Sequence, residues 1–394
     1  MKPSLITLCM LMSFPIVGAV LFTPALSHLI EHFEVSAKAS QLSVATYLAG
    51  YALGQIPYGF LANRFGRKKA IYIGLVTFIV GSLVCANTQG FGVLIAARAL
   101  MAVGAAVGLI MAFTLVSDFF SVQESRRMLA YMTLASAIAP GLANLIGGYL
   151  TGYFGWQSCF YFLIGYAALV IAMVYRIPDL PNVKAFAKSN LRACFEVLGQ
   201  GRFLLFTVLA ALTTSVIYIF AATAPLIAVH VMEIAPQVYG LMSIAPFLGT
   251  SAGCLFTAHL AHRFSAHMMM KIGLCACLAG ALSKFLLVQV YGSHVWLLFL
   301  PMPLMYFGLP IIYSNAGAMG LGGSKNKSIA SSIYAATNIG FAFLGVTLVG
   351  TFGMHSLTEI ALVFVGISVA MIGIFACASR FETLKKALQQ PRES

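Results

Sequence analysis

Charge is what this chain has least of. Asp, Glu, Lys and Arg make up only 8% of its 394 residues, too few to cover a water-soluble domain of that size. A soluble enzyme or binding module is thereby excluded. Acids are the scarcest, at ten Asp and Glu against 23 Lys and Arg, and none falls in the middle of an apolar run. The eight cysteines lie mostly within apolar runs and form no Cys-x-x-Cys pair. They read as small buried hydrophobes, not as a disulfide framework or a zinc cluster. No nucleophile, base or metal-ligand set recurs at membrane depth, so an enzyme is not expected, nor any cofactor or metal. His28-Leu29-Ile30-Glu31-His32 matches the His-x-x-Glu-His spacing of a zinc peptidase but brings no third ligand. His28 and Glu31 remain candidates for proton or substrate entry at a rim.

What is present is apolar. Hydrophobic residues are 60% of the chain, and runs long enough to span ~30 Å of hydrocarbon as helices recur along it. Twelve can be marked, at roughly 4–30, 39–61, 70–88, 92–118, 128–153, 157–176, 203–230, 237–260, 269–290, 294–319, 328–350 and 357–380. The first is read as a retained helix, since no small-residue cleavage site follows it. The net charge of +13 reports topology and not a nucleic-acid partner. All basic residues except Lys38, Arg98 and Lys284 fall in even-numbered connections or near the termini. That bias places both termini in the cytoplasm.

The chain also repeats itself. Shifted by 199 positions, Gly50, Gly54, Leu61, Ala62, Arg64 and Phe65 meet Gly249, Gly253, Leu260, Ala261, Arg263 and Phe264. Two six-helix halves arranged as a parallel repeat are the signature of a secondary transporter with its site between them. The expected division is 1–176 for the first half, 177–202 for a linker, 203–380 for the second half and 381–394 for a tail. Pro178 and Pro181 stop helix six. In the linker, Lys184, Lys188 and Arg192 recur every four residues beside Ala187, Leu191 and Phe195, a pattern suited to a helix on an anionic lipid surface.

The densest cluster of cations is Gly59-Phe60-Leu61-Ala62-Asn63-Arg64-Phe65-Gly66-Arg67-Lys68-Lys69. This block resembles the loop between helices two and three of the major facilitator superfamily, with Asn63 where the family usually has Asp. The resemblance extends further. Phe22-Thr23-Pro24-Ala25-Leu26 looks like the helix-one segment of the Bcr/CflA drug-resistance branch, with Val20 where many relatives place an acid. Arg98 and Gly104 match the helix-four motif, with Met101 where Gln is usual. Pro140, Gly141, Gly147 and Gly148 resemble the helix-five antiporter motif. The resemblance implies alternating access, proton-coupled efflux and a conformational latch formed by Gly59, Asn63, Arg64, Gly66, Arg67 and Asp118. It also implies substrate or proton coupling at Arg98.

Several residues then offer themselves as cavity wall. Tyr47, Tyr51, Gln55 and Tyr58 share a helix face, and polar groups in hydrocarbon must face partners or water. Thr23, Tyr218, Tyr313 and Asn338 join them as candidates, with Thr213, Thr214, Asn315 and Tyr334 nearby. Lys284 is expected to snorkel outward, and Trp156 to mark the outer interface. The expected function is secondary transport of a small organic solute, most readily proton-coupled efflux, by a monomer in the lipid of a bacterial inner membrane. With no acid at membrane depth, the balance tilts towards a neutral or anionic solute. The alternative is an anionic metabolite or carboxylate siderophore, imported or exported, with Arg98 as its anchor.

Overall fold

In hydrocarbon every backbone N–H and C=O must be satisfied internally, which leaves a long apolar chain a choice between helices and a closed barrel. The computed structural model takes the first course. It describes residues 2–177, 191–260, 263–322, 327–352 and 356–389, and every regular element among them is a helix. The first half begins with a broken span, α1 (Leu5–Val20), a 3-10 turn (Thr23–Ala25) and α2 (Leu26–Phe33). It continues through α3 (Ala37–Phe65), α4 (Arg67–Asn87), the broken pair α5 (Phe91–Ala105) and α6 (Val107–Phe119), α7 (Val122–Phe154) and α8 (Gln157–Tyr175). The short α9 (Leu191–Leu198) precedes the second half. That half holds α10 (Gly201–Pro225) with a π-helical turn (Leu226–Val231), α11 (Pro236–Met242), α12 (Ile244–Leu260) and α13 (Ala266–Tyr291). It ends with α14 (Val295–Phe299), α15 (Met302–Gly322), α16 (Lys327–Phe352) and α17 (Leu357–Gln389).

Eleven of the expected spans are long and apolar enough to cross a membrane. The twelfth, α3, is 29 residues long, ample for ~30 Å of hydrocarbon. Its stripe of tyrosines and glutamine makes it more polar than the others. Local sequence sets the ends of the elements. Ser36 accepts from the Ala39 N–H to start α3, and Ser121 with Glu124 forms a capping box at α7. Gly66 ends α3 at φ 93°, a left-handed value that favours glycine and lets α4 begin at the next residue.

Small residues bring the helices together. In the first half Gly50 and Gly54 of α3 lie against the backbone of α5, and Gly74 of α4 lies against Gly104. The second half repeats this: Gly249 and Gly253 of α12 meet α15, and Gly273 of α13 meets Gly308. Between the halves, α3 runs along α16, while α7 packs on α11 and α12. The basic connections lie at one end of the bundle, and the opposite end is called the far end below.

Two expectations change in detail. Trp156 does not face the interface; it is 4% exposed and sits among Phe22, His32, Phe33 and Phe160. The break between α1 and α2 opens a space that the indole fills. Tyr149, Tyr153, Phe154, Tyr291 and Trp296 are among the large exposed aromatics near the far end instead. The final helix does not stop near residue 380 but continues to Gln389. In the linker, Pro178, Pro181, Lys184, Ala187 and Lys188 lie outside the described residues.

Candidate functional site

The two halves meet at mid-span through tyrosines. Tyr51 of α3 is 5% exposed and lies close enough to Tyr47, Tyr218 of α10 and Tyr313 of α15 for their hydroxyls to act on one another electrostatically. Tyr47 and Tyr51 come from the first half, Tyr218 and Tyr313 from the second. Tyr313 keeps 41% of its surface although its ring is 5.7 Å from that of Tyr334, so its open face looks into the space between the halves. The Tyr334 hydroxyl donates to the Tyr313 carbonyl at 3.2 Å. Asn338 Nδ2 donates to the Tyr334 carbonyl at 2.7 Å, and its Oδ1 accepts from Thr214 at 3.1 Å. Gln55 Nε2 is buried with no partner among the described residues, an amide donor held available at the wall. Thr213 and Asn315 turn back to carbonyls of their own helices.

Thr23 belongs elsewhere. Its hydroxyl lies 2.9 Å from both the Val20 carbonyl and Asn144 Oδ1, and α11, which carries the buried Tyr239, packs against this turn from the other half. This polar contact sits in a seam at the far end. There Gly148 lies against Pro236 and Gly240, Gly152 against Gln237, and Gly350 against Gln41. Gly147 lies against the Leu21 carbonyl within its own half, and Gly141 meets Phe247 across the interface. The helix-five motif thus supplies a smooth face on which α11 and α12 close. Asn144 and Tyr239 carry no signal in the sequence beyond being polar in an apolar run.

Arg98 is fully buried one layer behind the tyrosine wall. Its guanidinium donates to the Gly18 carbonyl at 2.9 Å, Ser43 at 3.4 Å and Ala19 at 3.5 Å. It also lies over the Tyr47 ring at 4.5 Å and Phe22 at 5.2 Å. Gly18 and Ala19 are the last turn of α1, where the helix breaks and its carbonyls lack partners. A cation there satisfies them and opposes the helix dipole. Tyr47 is held from both sides, by Arg98 and by its own bond to the Pro15 carbonyl at 2.9 Å.

Lys284 does not snorkel. It is 0% exposed and turns into the second half, where Nζ donates to the Leu298 carbonyl at 3.4 Å at the end of α14. The α14–α15 break, forced by Pro301 and Pro303, frees carbonyls that a lysine on the facing helix can reach.

At the basic end, Arg67 Nε donates to Asp118 Oδ2 at 3.1 Å, joining the start of α4 to the end of α6 within one half. Arg67 also reaches the Ala62 carbonyl at 3.4 Å. Lys68 donates to the Tyr175 and Ile177 carbonyls at 2.9 and 3.0 Å, closing the end of α8. Arg64 lies instead against the Phe65 ring. The side chains of Gly59 and Asn63 lie outside the described residues. Among the described residues, no group of three or more metal-ligating side chains could hold an ion.

This geometry has counterparts of known structure and name. The chain is 27% identical over 319 residues to multidrug resistance protein D of Escherichia coli (strain K12), covering 80% of each chain. It is 26% identical over 304 residues to chloramphenicol resistance protein CraA of Acinetobacter baumannii, covering 76% of this chain and 73% of that one. Its fold matches the partially occluded inward open conformation of the xylose transporter XylE from E. coli, with a TM-score of 0.71 and 14% identity over 93% of this chain and 95% of that one. The sequence profile of the Major Facilitator Superfamily matches residues 5–347, which spans the paired halves, the seam and the tyrosine wall, and the chain belongs to that superfamily.

Proposed function

We propose that the protein is a proton-coupled efflux transporter for small lipophilic organic compounds, working by alternating access about a cavity walled by Tyr51, Gln55, Tyr218, Tyr313 and Asn338. The observation that carries this reading is that Tyr51 of one half lies near enough to Tyr218 and Tyr313 of the other for their hydroxyls to interact electrostatically, at the depth where a secondary transporter holds its substrate. Rings with hydroxyl and amide edges suit apolar solutes with few polar groups. The far end is closed by the α7–α11 seam, and the basic end faces the cytoplasm of a bacterial inner membrane. The described chain is thus read as inward-facing. The relatives named for drug resistance support the direction and the class of cargo. Arg98, sealed behind Tyr47, is read as a positioning residue for that wall, and the protein as a monomer in lipid.

The test is transport of chloramphenicol in proteoliposomes under an imposed pH gradient. Gradient-driven movement is expected, falling at least tenfold in Tyr51→Ala. If no compound in a panel of lipophilic drugs moves with the gradient, proton-coupled efflux is wrong.

A further inference from the structure

Two fully buried cations remain, one in each half, and neither has a carboxylate. The two ion pairs among the described residues, Lys2–Glu124 and Arg67–Asp118, both lie at the basic end. Every carboxylate whose side chain is described sits at or near a helix end. The glycine contacts put the halves in register: Gly74 backs on Gly104 as Gly273 backs on Gly308, and Gly81 meets Met101 as Gly280 meets Met305. In that register Lys284 stands at the place of Cys85, and Met302 stands at the place of Arg98. Each half therefore keeps one cation in the same crevice but supplies it from opposite helices, α5 in the first and α13 in the second.

The settings are alike as well. Arg98 lies over Tyr47 and Phe22 with Met101 Sδ at 3.8 Å. Lys284 lies over Phe220 and Phe364, at 5.4 and 5.2 Å, with Met302 Sδ at 3.7 Å. Both rest on carbonyls at the end of a broken helix. An apolar side chain of similar size would cost less to bury than a cation with no counter-ion. Two different residues on two different helices recreate the same charge, and that points to the charge itself.

We propose that this pair holds the central cavity at positive potential, so that it takes neutral and anionic organic solutes and rejects permanent cations. The inference rests on the cavity of Tyr51, Tyr218 and Tyr313 being the transport site. Arg98 touches Tyr47, and Tyr51 follows one turn later, which puts the charge roughly 10 Å from the wall. At an effective dielectric near ~20, a unit charge at that distance separates a monovalent cation from a neutral solute about tenfold in binding. Salt screens such a buried charge little. The wall opposes it only with hydroxyls and amides.

The experiment is equilibrium binding of tetraphenylphosphonium and tetraphenylborate, ions of matched size and opposite charge, to the detergent-purified full chain, with protein-free micelles subtracted. Tetraphenylborate is expected to bind at least tenfold more tightly. Arg98→Met should shrink that ratio about tenfold. Lys284→Met, which removes an ammonium lying over Phe220 two residues from Tyr218, should shrink it as well. Arg98→Met removes bonds the fold uses, so Gln55→Glu is the second variant. It places a carboxylate at the wall without touching either cation and should bring tetraphenylphosphonium to within threefold of the anion. The proposal is overturned if the wild-type protein binds the two ions equally, prefers the cation, or binds neither. It is also overturned if Gln55→Glu leaves the ratio unchanged. These outcomes are read without a pH gradient, so they stand apart from a failure of proton coupling.

Discussion

Arg98 and Lys284 carry similar charges in similar crevices, yet their bonds predict different costs. Removing the Arg98 guanidinium strands the carbonyls of Gly18 and Ala19 at the break of α1 in a dry interior, at about 1–3 kcal/mol for each group left unpaired. Arg98→Met should therefore lower the thermal unfolding midpoint markedly. Arg98→Lys should not restore it, since an ammonium cannot reproduce the fork. Lys284 makes a single 3.4 Å bond to a carbonyl, and Lys284→Met should cost far less. Equal losses in the two variants would contradict this account. At the surface, Glu124 is held down at about 2, chiefly by the hydrogen bond from Lys2 and then by those from Ser121. Because the folded value lies below the ordinary carboxylate range, the stabilisation is complete above about pH 4.5. It drains as pH falls towards about 2. In unfolding scans, Glu124→Gln should sit slightly below the wild type at neutral pH, and the gap should close across that window. A gap that persists at pH 2 would rule the linkage out. Such pairings are hard to see in the sequence: Arg98 is visible as a cation in an apolar run, but the carbonyls it needs are exposed only by the break at Thr23–Ala25.

Among the helices, hydropathy and the half-chain repeat give the spans and their order, because apolar length and internal identity are properties of the sequence alone. The interruptions are less legible. Pro301 and Pro303 mark the α14–α15 break, whereas the α5–α6 break at Ala106 has no proline and lies where Gly108 presses on α1. Lys284 reads as a snorkelling residue until the break beside it supplies a carbonyl. Trp156 likewise reads as an interfacial anchor until the α1–α2 break offers a pocket. The tyrosine stripe on α3 follows from helical spacing, but its partners Tyr218 and Tyr313 follow only from how the halves dock. The seam yields a prediction of its own. A side chain at Gly148 would run into Pro236 and Gly240 across the interface, so Gly148→Val should open the far end. Spin labels on Lys38→Cys and Ser293→Cys, one in each half, should show a longer distance in that variant than in the parent. An unchanged distance would mean that the seam does not hold the halves together.

For the whole molecule, the close inter-half glycine contacts among the described residues all lie from mid-span to the far end. Gly141, Gly148, Gly152 and Gly350 each meet a residue of the opposite half. The first-half pair Arg67–Asp118 and the Lys68 contacts tie α4, α6 and α8 to one another, making that half a rigid body that can rock as a unit. A cavity closed at the far end must be reached from the basic end. Tyr313 tests this directly, since its side chain is 41% exposed while Tyr51, from the opposite half, lies beside it. In an otherwise cysteine-free chain, Tyr313→Cys should react with a membrane-impermeant maleimide at least tenfold faster in inverted vesicles than in right-side-out ones. The direction follows from the proposed orientation, in which the basic loops hold their end on the cytoplasmic face, and from the seam, which bars the reagent at the far end. Adding Gly148→Val should raise the rate from the far side, because loosening the seam shifts the population towards the outward-open arrangement. Equal labelling from both sides in the parent would leave no closed far end to explain, and faster labelling from the right-side-out face would reverse the assigned orientation.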